Sequence, residues 1–460
     1  MQRGKADSGS CSRLRLCTFG EDHGSGSRGT ENRPLPSPEP LAPMIPNISV
    51  TFAAAVRAAP CVAPGSSLRA SRGRLGIGSG RCAAKAVAAV FHEVGKPMEL
   101  REIPLPERLN EGELLVRMEV ATICGSDLHT VSGKRQEPMP LVLGHEGVGV
   151  IERIGSDIFS GNRPRHRGWK LQEGDRITFS VADSCGMCPE CTLHKLPQKC
   201  VSLMKYGHAR MSEGTGLNGT YATHVLLRPG THAVKLPSTL SSRVCSPANC
   251  ALATVVNALD MARLPRYGSN KSAVVQGVGL LGIYAVAWLK KRVGMDSVFC
   301  LDMDSERLKT AEQFGGIPLL VTGGEEEFWE RQRFIHKHYP HGVDVAVEMT
   351  GAKNVIHEGV QLLRNGGHYS FAGMVHPDSQ LSSLTGETII RKCLTIRGVH
   401  NYTPWNLEEA VKFLDEQREE LPLESVLSPT SYALSNINDA IKEAFSGRYC
   451  RVVVNCQDVF

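Results

Sequence analysis

The sequence predicts an α/β protein in which a mostly-β part is followed by a doubly wound parallel sheet. Three observations support this expectation. Short apolar runs punctuated by Gly and Pro occupy residues 86–180, which favours strands. Beyond residue 250, strand and helix signals alternate, as in parallel strands joined by crossover helices. The glycine motif Gly277-Val278-Gly279-Leu280-Leu281-Gly282 marks the first strand-to-helix turn of this second part.

The composition is that of an ordinary globular protein. At 460 residues the chain is long enough for two domains plus extensions, with 41% hydrophobic and 22% charged residues. No apolar run approaches the roughly 18 residues that a membrane span needs. The net charge is +5, but residues 1–85 carry 12 basic and five acidic side chains, so the remainder carries −2. This acidic body argues against a nucleic-acid partner.

Residues 1–85 are predicted to be a leader without a folded core. Residues 1–43 are rich in Gly, Ser, Pro and Arg and lack hydrophobic periodicity, which indicates disorder. Residues 40–92 contain no Asp or Glu, while arginines recur among Ala, Ser and Gly, a composition typical of an organelle transit peptide. Met44 is a sensible alternative start. We therefore expect a mitochondrial matrix protein, with a plain disordered tail and a cytoplasmic location as the alternative.

The first part of the body should contain four strands before a cysteine-rich segment. They are expected at Ala86–Phe91, Glu113–Val120, Gly147–Ile154 and Arg176–Ser180. Residues 156–170 are predicted to form a loop. Its basic cluster is more typical of a solvated surface than of a binding site.

Two segments between these strands hold the residue types that zinc prefers. Cys124, Ser126, Asp127 and His129 lie within six residues, and Gly144-His145-Glu146 follows about twenty residues later. A catalytic zinc takes three protein ligands from thiolate, imidazole and carboxylate groups and keeps one position open. A hydroxyl and a second imidazole nearby could carry a proton away. For either Cys124 or His145 alone, a buried cysteine or a core histidine is the commoner explanation.

The second part should alternate strands with helices. Strands are expected at Ala273–Gln276, Ser297–Leu301, Val343–Met349, His368–Ala372 and Arg451–Asn455. Helices are expected at Leu280–Lys291, Ser305–Phe314, Leu407–Glu416 and Ile437–Phe445.

The glycine motif points to a dinucleotide site, because it follows a strand directly and opens a helix. Gly277, Gly279 and Gly282 would allow a tight turn, close approach of a pyrophosphate and close packing of helix on strand. The helix N-terminus supplies amide donors to the phosphates. Asp302 ends the next strand twenty residues after Gly282, where an acid can bind ribose hydroxyls. Because no arginine follows Asp302 immediately, NAD is favoured over NADP. Glycines that serve only packing are the alternative.

A second cysteine cluster consists of Cys185, Cys188, Cys191 and, after eight residues, Cys200. Four thiolates on one short loop satisfy a tetrahedral zinc without an open position, which predicts a structural zinc. Disulfides are the alternative, but 15 cysteines are few for this length and metal-like spacing favours a reducing compartment. A zinc ribbon for protein or nucleic-acid contact is disfavoured by the acidic body and the single knuckle.

Together these motifs resemble those of the zinc-containing medium-chain alcohol dehydrogenases, from about Ala86 to the C-terminus. Gly144-His145-Glu146-x-x-Gly149-x5-Gly155 matches the family's zinc signature at every fixed position. The resemblance implies two zinc ions per chain, NAD, a small alcohol substrate and a homodimer or homotetramer. It implies a GroES-like catalytic domain at 86–252 and 399–460, with a zinc lobe at 185–200, and a Rossmann NAD-binding domain at 253–398.

The resemblance also implies roles around the catalytic zinc. Cys124 and His145 would be ligands, Glu146 a carboxylate able to move onto the metal, and Asp127 the group that orients His145. Ser126 and His129 would form a proton relay.

Other roles follow from the resemblance at more distant positions. Of Cys245 and Cys250, Cys250 is the better match for the third ligand, because Cys250-x3-Thr254 reproduces a family motif whose threonine packs on the nicotinamide. Arg451 resembles the family's pyrophosphate-binding arginine, with a surface strand residue as the alternative. The structural zinc ligands would be Cys185, Cys188, Cys191 and Cys200, although the last interval is one residue longer than is usual in the family.

Within the family, Leu196–Cys200 and Lys205–His208 are most similar to the branch associated with bacterial phosphonate catabolism, with threonine and polyol dehydrogenases next. The implied reaction is zinc-assisted hydride transfer from a primary, secondary or polyol-like alcohol to NAD. The proton would leave through the relay. A zinc-free quinone or enoyl reductase and a non-catalytic nucleotide-binding scaffold are the alternatives. The complete ligand set disfavours the first, and the intact relay residues disfavour the second.

Overall fold

The computed structural model describes residues 84–155, 171–260, 264, 270–375, 379–381 and 384–459. Apart from Ala84 and Lys85, the predicted leader lies outside these residues, and so does the predicted loop at 156–170. No helix in the described ranges has both the length and the apolar character needed to cross a membrane.

Strands are the main regular elements of the first part and form the centre of the second. Those of the described residues are β1 Lys85–Phe91, β2 Glu99–Pro104, β3 Leu114–Thr122, β4 Leu141–Val142, β5 Glu146–Ile154, β6 Arg176–Phe179, β7 His224–Leu227, β8 Ala233–Lys235, β9 Ser272–Gln276, β10 Ser297–Asp302, β11 Ile317–Leu320, β12 Val343–Glu348, β13 Leu363–Phe371, β14 Thr395–Gly398, β15 Leu427–Ala433 and β16 Arg451–Asn455.

Helices are short in the first part and longer in the second. Those of the described residues are α1 Gly125–Val131, α2 Pro189–Thr192, α3 Ser242–Cys245, α4 Ala251–Ala258, α5 Leu280–Trp288, α6 Ser305–Gln313, α7 Glu325–His338, α8 Ile356–Leu362, α9 Gly386–Arg391, α10 Pro404–Gln417 and α11 Ile437–Ser446.

The mostly-β part contains two sheets. The smaller one is antiparallel with the order β2-β1-β4, and the larger one has the order β15-β16-β3-β5-β6-β8, with β7 also paired to β3. In the larger sheet the antiparallel register of β3 and β5 sets Thr122 opposite Glu146. This register brings the end of β3, which leads into Cys124, to the start of β5, which follows His145.

The second part is a six-stranded parallel sheet with the order β11-β10-β9-β12-β13-β14. Its central strand β9, with the sequence Ser-Ala-Val-Val-Gln, is buried along its whole length, as expected for a parallel strand covered by helices on both faces. The order reverses between β9 and β12. In parallel sheets of this kind the ligand binds beyond the carboxyl ends of the strands at such a reversal, and here the glycine motif lies there.

A shared apolar core joins the two parts. It runs from Val148 and Val453 of the larger β-sheet through α4 to α5 and α10. Because α4 belongs to this core, both parts of the fold fix the position of Cys250, the residue that precedes it.

The predicted mostly-β part and parallel sheet are both present, and most predicted strands differ from the observed ones by one or two residues. The helix α5 ends at Trp288, three residues before its predicted end, because a π-helical turn, Leu289–Val293, follows it. The helix α7 was missed, although three glutamates in its first turn and basic residues in its last are a helix signal. The short strands β8 and β14 carry little local signal, since sheet pairing rather than intrinsic propensity sets them.

Candidate active site

Four potential metal-binding side chains converge where the two parts meet. One ligand atom from each of Cys124, His145, Glu146 and Cys250 lies within 4.8 Å of the other three. Two sulfurs, an imidazole nitrogen and a carboxylate oxygen suit zinc better than calcium or magnesium, which take oxygen ligands. The donor set therefore fits a zinc ion.

Each ligand comes from a different local structure. Cys124 is the N-cap of α1, His145 directly precedes β5, and Cys250 lies between a 3₁₀ turn and α4. Cys245 lies in α3, is fully buried and is not part of the ligand group. Of the two cysteines considered for the third position, the structure brings Cys250 to the group.

Asp127 supports His145 from within the protein. Its carboxylate is fully buried and accepts hydrogen bonds from the Cys124 amide at 3.0 Å and the Tyr221 hydroxyl at 2.9 Å. Oδ1 of Asp127 lies 3.4 Å from Nδ1 of His145, which leaves Nε2 available to a metal. Burial opposes both charges, yet the contact keeps the pKa of Asp127 below its usual value and raises the pKa of His145 to about 10. A metal ion bound at Nε2 would take the place of that second proton, and Asp127 would still orient the imidazole through Nδ1.

Arg451 reaches the ligand group from β16. Its Nε and Nη2 donate to the two carboxylate oxygens of Glu146 at 2.8 and 2.9 Å, and Nη2 also lies 3.4 Å from the sulfur of Cys124. The Thr122 hydroxyl donates to the same carboxylate at 2.7 Å. Burial is the main cause that raises the pKa of Glu146 to about 7. Arg451 is therefore a buried partner of Glu146, and the alternative of a surface strand residue is wrong.

The two cysteine ligands are coupled to each other. A hydrogen bond from Cys250 brings the pKa of the Cys124 thiol well below its ordinary value, and the same contact raises the pKa of Cys250. Two adjacent buried thiolates repel each other, so full deprotonation of the pair requires a cation between them. The repulsion between these thiolates therefore favours a metal ion at this position, as the donor set does.

Ser126 and His129, the predicted relay residues, both lie on α1. The Ser126 hydroxyl is 3.4 Å from Nε2 of His145, at the ligand end. His129 is exposed one turn later, and the three-residue spacing sets both side chains on one helix face. The relay stays a prediction.

The three glycines of the motif have different surroundings. Gly277 has a φ of +88°, which disfavours any side chain, and a Cβ there would lie 3.2 Å from the Thr350 amide nitrogen. A Cβ on Gly279 would meet open space, whereas one on Gly282 would collide with the carbonyl group of Gly277. One glycine thus makes the turn, one leaves room for a ligand, and one allows the helix to approach the strand.

The start of α5 borders a cavity of about 190 Å³. Gly279 and Leu280 line it, together with Arg307 and Arg451. Amide donors at a helix N-terminus and two guanidinium groups fit a pyrophosphate. Arg307 carries no sequence signal, because it lies inside α6 rather than directly after the acidic residue that ends β10.

Asp302 stands at the end of β10, where the sequence predicts the ribose-binding acid. Its two carboxylate oxygens accept hydrogen bonds from the amides of Val278 at 2.7 Å and Asp304 at 2.9 Å. Asp302 therefore also fixes the glycine turn. Thr254 lies one turn into α4, and its amide donates to the Cys250 carbonyl at 3.1 Å.

The second cysteine cluster is assembled as four sulfurs. Those of Cys185, Cys188, Cys191 and Cys200 all lie within 4.8 Å of one another. The sulfurs of Cys188 and Cys191 are 3.5 Å apart, far beyond the roughly 2.05 Å of a disulfide, so the disulfide alternative is wrong. Hydrogen bonds from backbone amides, that of Met187 first, lower the pKa of Cys185 to about 6. The cluster fits a tetrahedral zinc.

Sequence reasoning missed several polar residues beside the candidate zinc site. The ring of His208 lies 5.1 Å from that of His145, and its Nδ1 is 2.9 Å from a carboxylate oxygen of Glu137. Lys205 lies in the same turn as His208. Lys205 and His208 were noted only for their branch-like sequence, and nothing in the sequence marks Glu137 as their neighbour.

Known protein families match both parts of the chain. Residues 110–238 match the family model of the alcohol dehydrogenase GroES-like domain, and residues 280–416 match that of the zinc-binding dehydrogenases. A 5-exo-hydroxycamphor dehydrogenase of Pseudomonas putida is 27% identical over 374 residues, which cover 80% of this chain and 98% of that protein.

Two further proteins illustrate the range of relatives. An L-threonine 3-dehydrogenase of Deinococcus radiodurans is 27% identical over 311 residues, which cover 65% of this chain and 78% of that protein. The crystal structure of an alcohol dehydrogenase from Thermotoga maritima has a TM-score of 0.73 and 28% identity, over 81% of this chain and 99% of that one.

Proposed function

This chain belongs to the zinc-containing medium-chain alcohol dehydrogenases and is an alcohol oxidoreductase, and we propose that NAD accepts the hydride. The observation that carries the proposal is the convergence of Cys124, His145 and Cys250 where the catalytic part meets the cofactor part. An alcohol held at that junction would lie between a Lewis acid and a nicotinamide.

Cys124, His145 and Cys250 would hold the catalytic zinc. When bound, zinc polarises a substrate oxygen and lowers its pKa. Asp127 keeps the imidazole of His145 oriented through Nδ1, and Arg451 holds Glu146 beside the ligands without requiring it to be one. The four sulfurs of Cys185, Cys188, Cys191 and Cys200 would hold a second, structural zinc.

The cofactor would lie along the start of α5. The amides of the glycine turn, with Arg307 and Arg451, would hold the pyrophosphate, and Asp302 the ribose hydroxyls. Thr254 would contact the nicotinamide. The acidic residues at the end of β10 oppose a 2′-phosphate. The Arg307 guanidinium lies 3.5 Å from the Asp304 carboxylate, so this carboxylate offsets part of the positive charge that Arg307 could offer to a 2′-phosphate. We therefore propose NAD rather than NADP.

Ser126 and His129 would carry the alcohol proton to solvent. Replacing His129 by Ala should reduce turnover more at neutral than at alkaline pH, because hydroxide can take over the proton at high pH. An unchanged pH profile in this variant would exclude the relay.

The test of the proposed function is a panel of primary, secondary and polyol alcohols with NAD and with NADP. Reduction of NAD by at least one alcohol class, together with two zinc ions per chain by metal analysis, is the expected result. Turnover without bound zinc would indicate a quinone or enoyl reductase, and nucleotide binding without turnover on any alcohol would indicate a scaffold.

A further inference from the structure

A cationic wall stands beside the candidate zinc site; we use this name for Arg135, Glu137, Lys205 and His208. The His208 ring lies against the ring of His145, with centroids 5.1 Å apart. Nδ1 of His208 is 2.9 Å from Oε1 of Glu137, and Nε of Arg135 is 2.6 Å from the same oxygen. One carboxylate thus holds Arg135 and His208 together, and the His208 ring contacts a metal ligand.

The turn that carries Lys205 and His208 is held against the ligand segment. Gly207, between them, has a φ of +72°, and a Cβ there would lie 2.7 Å from the carbonyl carbon of Gly144. No side chain can stand between this turn and the residue that precedes His145. The wall is therefore fixed at the site rather than on a mobile surface loop.

Lys205 carries a charge that the fold leaves without a partner. Its side chain is partly buried, and within the described residues it makes no ion pair and no hydrogen bond. Burial, followed by the neighbouring charge of Arg135, lowers the pKa of Lys205. The amide of His208 donates to the Lys205 carbonyl at 3.1 Å, so Lys205 belongs to the same turn that lies against Gly144, the residue before His145.

The wall has more positive than negative charge. It holds two cationic side chains, Lys205 and Arg135, and a single carboxylate, that of Glu137, which is paired with Arg135. A cation withdrawn from water without an ion-pair partner destabilises the folded protein, and an anionic ligand group would offset that cost.

His208 supplies a second, independent indication of a ligand. Its Nε2 is buried and has no hydrogen-bond partner within the described part of the chain. Because Nδ1 donates its proton to the Glu137 carboxylate, Nε2 is left as an acceptor. A hydroxyl donor on a bound molecule would satisfy it.

We propose that the alcohol substrate carries an anionic group, a carboxylate or a phosphate, and that Lys205 and Arg135 bind this group. His208 accepts a hydrogen bond from a substrate hydroxyl. This inference rests on the proposed function, since the anionic group is placed relative to an alcohol at the Cys124, His145 and Cys250 site.

A matched set of substrates tests the proposal. 2-Butanol, 3-hydroxybutyrate and threonine have the same carbon skeleton and the same hydroxyl position. 2-Butanol is uncharged, 3-hydroxybutyrate has a carboxylate, and threonine has both a carboxylate and an ammonium. If the site binds a carboxylate, the kcat/KM for 3-hydroxybutyrate should exceed that for 2-butanol about tenfold or more. If it binds a phosphate, the kcat/KM for glycerol 1-phosphate should exceed that for glycerol by a similar factor. Threonine should be poorer than 3-hydroxybutyrate, because its ammonium faces the cationic wall. Equal kcat/KM for the charged and uncharged members of both pairs would overturn the proposal.

The variant Lys205→Met removes the charge and keeps the length of the side chain. It should reduce the preference for the acid over the uncharged alcohol by about 10- to 100-fold, mainly through a higher KM for the acid. Lys134→Met, at an exposed lysine nearby, is the matched control and should keep the preference. A preference that survives in Lys205→Met contradicts the assignment.

Thermal stability separates a binding role from a structural one. Removing a partly buried ammonium without an ion-pair partner should leave the Tm of Lys205→Met equal to or above that of the wild type. A lower Tm with an unchanged substrate preference would show that Lys205 is structural and would refute the proposal.

Calorimetry with butyrate and with inorganic phosphate separates the anion site from the proposed function. Each anion is titrated into the zinc- and NAD-loaded enzyme. At least one of these anions should bind the wild type and bind Lys205→Met about tenfold more weakly. If an anion binds through Lys205 but no alcohol is oxidised, the proposed function fails while the anion site stands. If alcohols are oxidised but neither anion binds, the anion site alone fails.

Discussion

Glu348 offers a test of how the cofactor edge of the parallel sheet is held together. Its fully buried carboxylate ends β12. One oxygen accepts from the amides of Thr350 and Gly351, both at 2.6 Å, and from the Thr350 hydroxyl at 2.9 Å. The other accepts from the Gly373 amide at 3.1 Å. Two loops beyond the carboxyl ends of β12 and β13 therefore depend on one side chain.

The variant Glu348→Gln keeps the shape of the side chain and removes its charge. If the glutamine oxygen accepts from Thr350 and Gly351, the glutamine NH2 group faces the Gly373 amide. Both of these groups are hydrogen-bond donors, so no bond forms between them. One hydrogen bond to a charged group is lost, at about 1.5 to 3 kcal/mol, and the others weaken. We expect the free energy of unfolding to fall by about 3 kcal/mol.

The same substitution should weaken cofactor binding, because Thr350 lies against Gly277 of the phosphate turn. If about half of the lost energy is felt at this edge, the Kd for NAD should rise about tenfold. Urea denaturation would measure the stability, and calorimetric titration the affinity.

Glu358→Gln is the matched control in the same part of the fold. Glu358 forms a buried pair with Arg331 between α7 and α8, with bonds of 2.9 and 3.3 Å. Breaking this pair should destabilise the protein by about 3 kcal/mol or more, with the Kd for NAD unchanged. This role of Glu348 is excluded if Glu348→Gln binds NAD like the wild type, or if Glu358→Gln weakens NAD binding equally.

Three further predictions concern the zinc site. Cys250→Ser should lower the zinc content from two ions per chain to one, whereas Cys245→Ser should keep both; the reverse result would move the third ligand to Cys245. Asp127→Asn should weaken zinc binding about 10- to 100-fold in a chelator competition, because the imidazole ligand loses its orienting carboxylate; an unchanged affinity would contradict that role. Gly207→Ala should destabilise the protein by about 1 to 3 kcal/mol and displace His145, through its left-handed backbone and its contact with the ligand segment; a wild-type Tm would exclude this.

Local sequence patterns predicted the parts of the site that are local in the chain. The ligands of the cysteine cluster in residues 185–200 lie close together in the chain, and so do the glycines of the turn after β9. Their spacing alone therefore predicted a zinc cluster and a dinucleotide-binding turn. Cys124 and His145 are further apart, but the pairing of β3 with β5 brings them together, and strand signals for both were present.

The remaining features depend on contacts that no short pattern encodes. Arg451 and Glu146 are 305 residues apart in the chain, and His208 and Glu137 are 71 apart. Each pair is formed by burial within the folded sheet and its loops. The choice of Cys250 over Cys245 came from the family resemblance, because Cys250-x3-Thr254 reproduces a family motif. The positions of the two cysteines alone do not show which sulfur the turn before α4 directs toward the ligands.

The position of β16 has a consequence for how the protein is made. The strand lies beside β3 in the larger sheet and supplies Arg451 to a carboxylate that was synthesised 305 residues earlier. A chain emerging from the ribosome therefore exposes the edge of β3, and leaves Glu146 without its guanidinium, until residues 451–455 have appeared. Since such non-local pairing is slow and open strand edges invite aggregation, the catalytic part is the part of the nascent chain most in need of protection by chaperones.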